Sequence, residues 1–260
     1  MKTVLPGRLA ATALGLAIVA LSFGQDNYEI QVYGSSTVSK GHTMVELHSN
    51  YTFLGSTSMV NGMYPTQNAL HETIEITHGW NDNFETGFYF FTSQREGQGY
   101  QYVGSHIRPR VKVPDSWKWP VGASLSMEVG YQRQQYAPDT WDFEIRPIID
   151  KTWGKFYAAF NPALELALAG PDSSQGYGFS PNVKVSYDAT KAVTLGFEYY
   201  GGFGPITDFA PRKEQQQQLF AALDLNISEE WEFNAGVGLG WTESTDRLIA
   251  KCIVGRRFSF

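Results

Sequence analysis

Residues 121–133 read VGASLSMEVGYQR, and this stretch indicates the class of fold. Apolar side chains occupy every second position from Val121 to Tyr131, while Ser124, Ser126 and Glu128 lie between them. A period of two is typical of a β-strand with one apolar face and one polar face. The stretch therefore predicts an amphipathic strand.

The same alternation recurs along the chain from residue 41 onward. Most of the alternating segments are longer than the usual strand of about 5–6 residues in a globular protein. Their lengths suit strands that cross a bilayer at a tilt. We therefore predict an all-β protein, a transmembrane antiparallel up-and-down β-barrel of about 12 strands. The predicted strands are 43–53, 68–80, 84–93, 101–113, 121–133, 139–150, 155–168, 178–188, 192–200, 215–227, 231–241 and 247–260.

The connections between these strands alternate in length. A transmembrane barrel has short periplasmic turns and longer external loops. Both ends of the strand series then lie on the side of the short turns. The predicted turns are 81–83, 114–120, 151–154, 188–191 and 228–230; the predicted loops are 54–67, 94–100, 134–138, 169–177 and 201–214, with 242–246 a short exception.

The tryptophans support the same arrangement. Trp80, Trp117, Trp119, Trp153 and Trp231 lie at the short turns, and Trp141 and Trp241 lie near the opposite strand ends. Indole rings concentrate at the membrane interface, so the sequence predicts two aromatic girdles. A soluble β-sandwich, the alternative fold, needs neither girdles nor such long strands.

The N-terminus has the pattern of a secretory signal peptide. Lys2 and Arg8 precede the apolar run 9–21, and small residues follow before Gln25. We predict a signal peptide over 1–24, an N-terminal periplasmic segment over 25–40 and an outer-membrane barrel over 41–260. The sequence leaves a plug inside the barrel open as the alternative for the middle segment.

Composition excludes several classes of protein. Hydrophobic residues make up 42% of the chain and charged residues 18%, which excludes a disordered chain. The formal net charge of −6 argues against a nucleic-acid partner. The single Cys252 excludes an intramolecular disulfide and a cysteine-based zinc site. No cofactor is expected.

The polar side of the strands predicts the residues that line the lumen. One interpretation is a constriction in which charged rings select the solute. The other is a self-neutralising network that fills the lumen, because buried charges need partners of opposite sign. In either interpretation, Arg108, Arg110 and Arg146 could face carboxylates across the barrel. The candidate residues are Glu46, His48, His71, Glu75, His106, Arg108, Arg110, Glu128, Asp142, Glu144, Arg146, Lys184, Asp224 and Lys251, with Glu85, Tyr89, Glu165 and Glu198 on the same side.

Two further chemistries have weaker support. His48, His71 and His106 lie on the inner side of three strands, but without the local spacing of a metal site. A lipid hydrolase would need a nucleophile and a base on the lipid-facing wall, and His78 offers no evident partner. We therefore assign no catalytic or metal-binding residues and expect that the protein is not an enzyme.

Several motifs resemble a group of uncharacterised bacterial outer-membrane proteins. These are EIQVY (29–33), HETIEITHGWND (71–82), FETGFYFFTS (84–93), HIRPRVKVP (106–114), WEFNAGVGLG (231–240) and GRRFSF (255–260). The chain is also distantly similar to outer-membrane transporters labelled MetA-pathway of phenol degradation. The resemblance implies a twelve-stranded outer-membrane barrel and assigns no site residues.

The predicted function is passive diffusion of small solutes across the outer membrane, filtered by charged residues of the lumen. The first alternative is a closed barrel with a structural or surface-interaction role, and the second is a membrane-embedded lipid hydrolase. The expected partners are outer-membrane lipid and a small solute. The sequence identifies neither the solute nor the oligomeric state.

Overall fold

The computed structural model describes residues 27–259, so the predicted signal peptide and Phe260 lie outside the described residues. The chain forms twelve antiparallel strands, each paired with its neighbours in sequence, and β1 pairs with β12 to close a barrel. The strands are β1 (His42–Leu54), β2 (Ala69–Asn81), β3 (Phe84–Arg95), β4 (Gly99–Lys112), β5 (Gly122–Gln132), β6 (Trp141–Trp153), β7 (Phe156–Ala169), β8 (Gly178–Asp188), β9 (Val193–Gly202), β10 (Gln216–Leu225), β11 (Trp231–Gly240) and β12 (Leu248–Ser259).

The prediction of an all-β barrel with twelve strands is confirmed. The main departure in the connections is the β3–β4 loop, which was predicted over 94–100. Both strands continue their pairing to Arg95 and Gly99, so only 96–98 connect them. Gly97 and Gly99 have φ angles of +75° and +64°, which a residue without a Cβ adopts at little cost. A tight turn therefore replaces the predicted loop.

The outer surface of the barrel is apolar. Large side chains on the predicted lipid-facing positions are exposed; Phe197 is 61% and Leu239 is 59% accessible. A soluble protein rarely exposes so extensive an apolar surface, whereas a closed barrel leaves no unpaired strand edge inside a bilayer. All seven tryptophans are exposed as well. The apolar outer wall is that of a barrel that crosses a membrane.

Within residues 27–259, no helix is long and apolar enough to cross a membrane. A single 3₁₀ turn, Asp115–Trp117, lies in the β4–β5 connection.

The inner face of the barrel is polar and buried. His48, Glu75, Glu85 and Glu198 are each no more than 1% accessible, although they lie on strands that form the wall of a ring. Side chains this inaccessible in a wall require that something fills the interior. That material is the N-terminal segment of the chain.

Candidate functional site

Residues 27–40 run through the lumen from one end of the barrel to the other. At one end the Asn27 side chain donates to Asp246 in the β11–β12 loop, with an N–O distance of 2.8 Å. At the other end the Gly41 N–H donates to the carbonyl of Gly79, near the β2–β3 turn, at 2.8 Å. We call residues 27–40 the lumen segment. Of the two arrangements that the sequence left open for it, its contacts are those of a plug.

Side chains of the barrel wall hold the backbone of the lumen segment. Asn161 on β7 forms two hydrogen bonds with Tyr33, accepting from its N–H at 2.7 Å and donating to its carbonyl at 2.9 Å. Two residues on neighbouring antiparallel strands exchange the same pair of N–H···O hydrogen bonds, but here the side-chain amide of Asn161 takes the place of the second backbone. Similar bonds join Thr73 to the carbonyl of Tyr28, Lys251 to that of Ile30, Arg110 to those of Gly34 and Ser36, Asp150 to Ser35, and Glu85 to the N–H of Val38.

Apolar packing seals the lumen on the loop side. Tyr28, Ile30 and Val32 of the lumen segment are each at most 6% accessible. They pack into two clusters with inward-facing side chains of the wall. One contains Ile30, Val32, Ala159, Tyr200, Phe220 and Ile249; the other contains Tyr28, Tyr89, Phe91 and Val103. Burial of this apolar surface stabilises the segment in place.

Charged groups on β2, β3 and β4 form the first ionic cluster. Arg108 contacts Glu75 at 2.6 Å, and Arg110 contacts Glu85 at 2.6 Å. The Arg108 guanidinium also lies 4.7 Å from the ring centre of Tyr33 in the lumen segment. The expectation that these arginines face carboxylates across the barrel is therefore wrong, because the lumen segment separates the opposite walls and each arginine pairs with a nearby strand.

A second cluster lies on β4, β5 and β6. Arg146 contacts Glu144 of its own strand at 2.6 Å, so it too has a local partner. His106 forms a short hydrogen bond with Glu128 through Nδ1, and its Nε2 lies 3.8 Å from Asp142.

A third cluster lies on β8, β9, β10 and β12. Lys184 contacts Asp224 at 2.8 Å and Glu198 at 3.2 Å. Lys251, which is 3% accessible, also contacts Glu198. Tyr200 donates to the same carboxylate at 2.7 Å. Local neutralisation thus accounts for most of the predicted lumen charges; their role in selectivity stays a prediction.

The three inward histidines lie in different surroundings. His48 lies 3.5 Å from Glu75, His106 pairs with Glu128, and His71 packs edge-on against Tyr28 with ring centres 4.9 Å apart. Glu46 is buried beside His48 on β1. The structure does not bring the histidines together into one site.

Open space remains between the lumen segment and the wall on the turn side. A cavity of about 290 Å³ borders Tyr33, and its wall includes Glu46, Glu75 and Arg108. A second cavity of about 480 Å³ lies near the β4–β5 connection and borders Ser35 and Asp150. The turn-side half of the lumen is therefore polar and partly open, in contrast to the sealed loop-side half.

Sequence reasoning did not identify three residues that fix the lumen segment in place. These are Tyr33, Asp150 and Asn161. The alternation EIQVY over 29–33 was the available signal, since a strand-like stretch outside the barrel series needs a surface to pair with. Asn161 is a lone amide on the inner side of β7, and nothing in its sequence neighbourhood indicates a partner 128 positions away.

The lipid-facing wall offers little to a hydrolase. The Thr43 hydroxyl lies 2.9 Å from Nδ1 of His78, and Ser49 lies 3.3 Å from Glu72. In residues 27–259, no carboxylate lies within ion-pair distance of His78. A nucleophile–base–acid arrangement therefore does not form at this histidine.

Comparison with known proteins shows the fold. No protein-family model matches the chain, and no curated protein matches it. The COG4313 outer membrane channel from Pseudomonas putida F1 has a TM-score of 0.58 at 11% identity, covering 88% of this chain and 100% of that one. The KdgM porin in complex with disordered oligogalacturonate has a TM-score of 0.52 at 11% identity, covering 84% and 99%. The NanC porin has a TM-score of 0.51 at 6% identity, covering 83% and 100%. The chain therefore has the twelve-stranded barrel fold of outer-membrane porins.

Proposed function

We propose that this protein is an outer-membrane channel for small solutes and that the lumen segment is its displaceable plug. One observation carries the proposal: a stretch of chain that is separate from the wall runs through the lumen from end to end and packs there against inward-facing side chains. A barrel with a purely structural role has no need of an interior wide enough for an extended chain.

The contacts of the lumen segment support displacement. Its backbone is held by side-chain hydrogen bonds and not by a ladder with any strand. The ring itself closes through β1 and β12, so its backbone pairing does not depend on residues 27–40. Removing the segment would therefore empty the lumen while leaving the hydrogen bonds between strands in place.

The charges of the wall favour cations and neutral solutes over anions. The buried inward-facing carboxylates are Glu46, Glu75, Glu85, Glu128 and Glu198, whereas the buried cations are Arg108, Arg110, Arg146 and Lys251. An excess of carboxylates at close quarters repels anions. The KdgM porin binds an oligogalacturonate, whose acidic sugars this lumen would repel.

Conductance in planar bilayers tests the proposal. We expect rare openings from the full chain, and frequent, larger openings from a variant that lacks residues 27–38. The reversal potential in a salt gradient should show cation preference. A deletion of 57–62 in the β1–β2 loop, where every residue is exposed, is the matched control and should behave like the full chain.

The closed barrel is the second candidate, because the apolar clusters around Tyr28 and Ile30 seal the loop side. If the variant lacking 27–38 folds, as shown by its circular dichroism and its heat-dependent gel mobility, but carries no current, the channel proposal is wrong. The closed barrel is then the better assignment.

A further inference from the structure

A group of metal-ligating side chains lies on the inner face of β1 and β2. Glu46 and Glu75 are directly paired in the β1–β2 register, and His48 lies two residues beyond Glu46 on the same face. All three are buried: Glu46 is 7% accessible, Glu75 is 1% accessible and His48 is 0% accessible. Each offers one ligand atom, and these atoms all lie within 4.8 Å of one another.

The separation between His48 and Glu75 suits a bridging ion better than a hydrogen bond. Nε2 of His48 lies 3.5 Å from Oε2 of Glu75, which is long for a charge-assisted hydrogen bond of about 2.7–2.9 Å. Zinc binds imidazole nitrogen and carboxylate oxygen at about 2.0–2.2 Å, and two such ligands at a tetrahedral angle lie about 3.4 Å apart. The observed distance is close to that value.

The ligand atoms have coordination capacity that the protein does not use. Neither ring nitrogen of His48 has a hydrogen-bond partner among residues 27–259, and the same holds for Oε2 of Glu75. Glu46 has no cation within 4.0 Å in that part of the chain. Buried polar groups normally have partners, since leaving them unpaired is costly. A cation between the three side chains would satisfy one ring nitrogen of His48 and one carboxylate oxygen each of Glu46 and Glu75.

Neighbouring groups orient Glu75 for this role. Arg108 and Thr77 both donate to its Oε1, at 2.6 Å and 2.7 Å. These bonds fix the carboxylate and leave Oε2 directed to the cluster. Outer partners of this kind are a regular feature of metal sites in proteins.

We propose that Glu46, His48 and Glu75 bind a divalent transition metal ion of the zinc class. The ion reaches them through the cavity of about 290 Å³ that borders Glu46 and Glu75, and that cavity supplies water as a fourth ligand. The site does not depend on the channel proposal, because its ligands all belong to the barrel wall.

A second group with similar donors is less suited to a metal ion. Glu29, His106 and Glu128 also bring their ligand atoms within 4.8 Å of one another. Here Nδ1 of His106 already forms a short hydrogen bond with Glu128. This group therefore provides a control for the position of the ion.

A Zn²⁺ titration tests the site. The sample is the full, folded chain in detergent, treated beforehand with a chelator. We expect calorimetry and metal analysis to show one high-affinity ion per chain. Loss of a residue that only supports a metal ligand costs about 10- to 100-fold in metal affinity. His48→Ala removes a ligand itself and should weaken Zn²⁺ binding by more than that. Co²⁺ should give the visible absorption of a four-coordinate site, and His48→Ala should abolish it.

Two histidine variants serve as matched controls. His71→Ala removes another buried inward histidine, and His106→Ala removes the histidine of the second group. Both should retain the affinity of the unaltered chain. If His48→Ala does not fold, Glu46→Gln replaces it, because that change preserves shape and should also weaken binding. The proposal is overturned if no ion binds in a stoichiometric amount. It is also overturned if Zn²⁺ binding survives both His48→Ala and Glu46→Gln, or if binding is lost in His106→Ala.

Discussion

Replacing Asn161 with alanine should release the lumen segment at its midpoint. The change removes both hydrogen bonds to Tyr33 and leaves a buried N–H and a buried carbonyl without partners. Each such loss costs about 1–3 kcal/mol, and water that enters the space of the lost amide brings the total toward about 2–3 kcal/mol. The penalty applies only while the segment occupies the lumen, because both groups are hydrated once it leaves.

The expected result is a large rise in open probability. A difference of about 2–3 kcal/mol corresponds to about 30- to 150-fold, since every 1.4 kcal/mol is tenfold. Single-channel recording in planar bilayers measures this ratio directly, with the unitary conductance unchanged. The matched control is Asn234→Ala, which removes a buried amide that, within residues 27–259, bonds to Asp224 of the wall and not to the lumen segment.

The reasoning has a clear point of failure. If Asn161→Ala opens no more often than Asn234→Ala, while the variant lacking residues 27–38 conducts freely, then the hydrogen bonds to Tyr33 do not hold the segment. Apolar packing around Ile30 would then be the dominant restraint.

Three further outcomes follow from the same contacts. Lys251→Met removes one of the two cations that contact buried Glu198, and Lys184 remains as the other. The free energy of unfolding in urea titrations should therefore fall by less than the about 3–5 kcal/mol of a buried carboxylate left with no cation; an unchanged midpoint would contradict this. Gly79→Ala would place its Cβ 2.2 Å from the carbonyl oxygen of Val38, so the turn-side end of the lumen segment should lift and conductance should rise in bilayer recordings. Burial raises the pKa of both Asp139 and Asp172, which meet in the β5–β6 and β7–β8 loops. Because both pKa values are raised in the folded state, the folded loops are stabilised at pH values below the ordinary carboxyl pKa. That stabilisation is lost as the pH rises through the raised pKa values. The two loops should therefore resist proteolysis better at acidic pH, and Asp172→Asn should weaken that dependence but not abolish it, because burial still raises the pKa of Asp139.

The strands were predictable because two different solvents act on the wall. Lipid outside and polar groups inside require alternation on every strand, as from Val121 to Tyr131. The predicted and observed bounds of β8 coincide at 178–188, and most others differ by one or two residues. The loop over 94–100 was wrong because strand pairing can continue through residues without an apolar pattern when glycines permit a tight turn.

The position of the lumen segment was not predictable in the same way. Its alternation over 29–33 is consistent with a tail outside the barrel and with a plug inside it. Apolar Ile30 and charged Glu29 are successive residues and are both buried, so the alternation does not distinguish a side facing the wall from a side facing solvent. The ionic pairs depend in turn on this segment, which is why Arg146 found its partner at Glu144 rather than across the lumen.

The reversal of the chain between Lys40 and His42 constrains the order of assembly. β1 carries the lumen segment and also forms the seam with β12. If β1 and β12 pair first, the lumen segment, with its bulky Tyr28 and Tyr33, must thread lengthwise through a closed barrel. If the sheet is still open, the stretch can be laid into the concave side and enclosed afterwards. The geometry thus favours a biogenesis in which the first and last strands join at the final step.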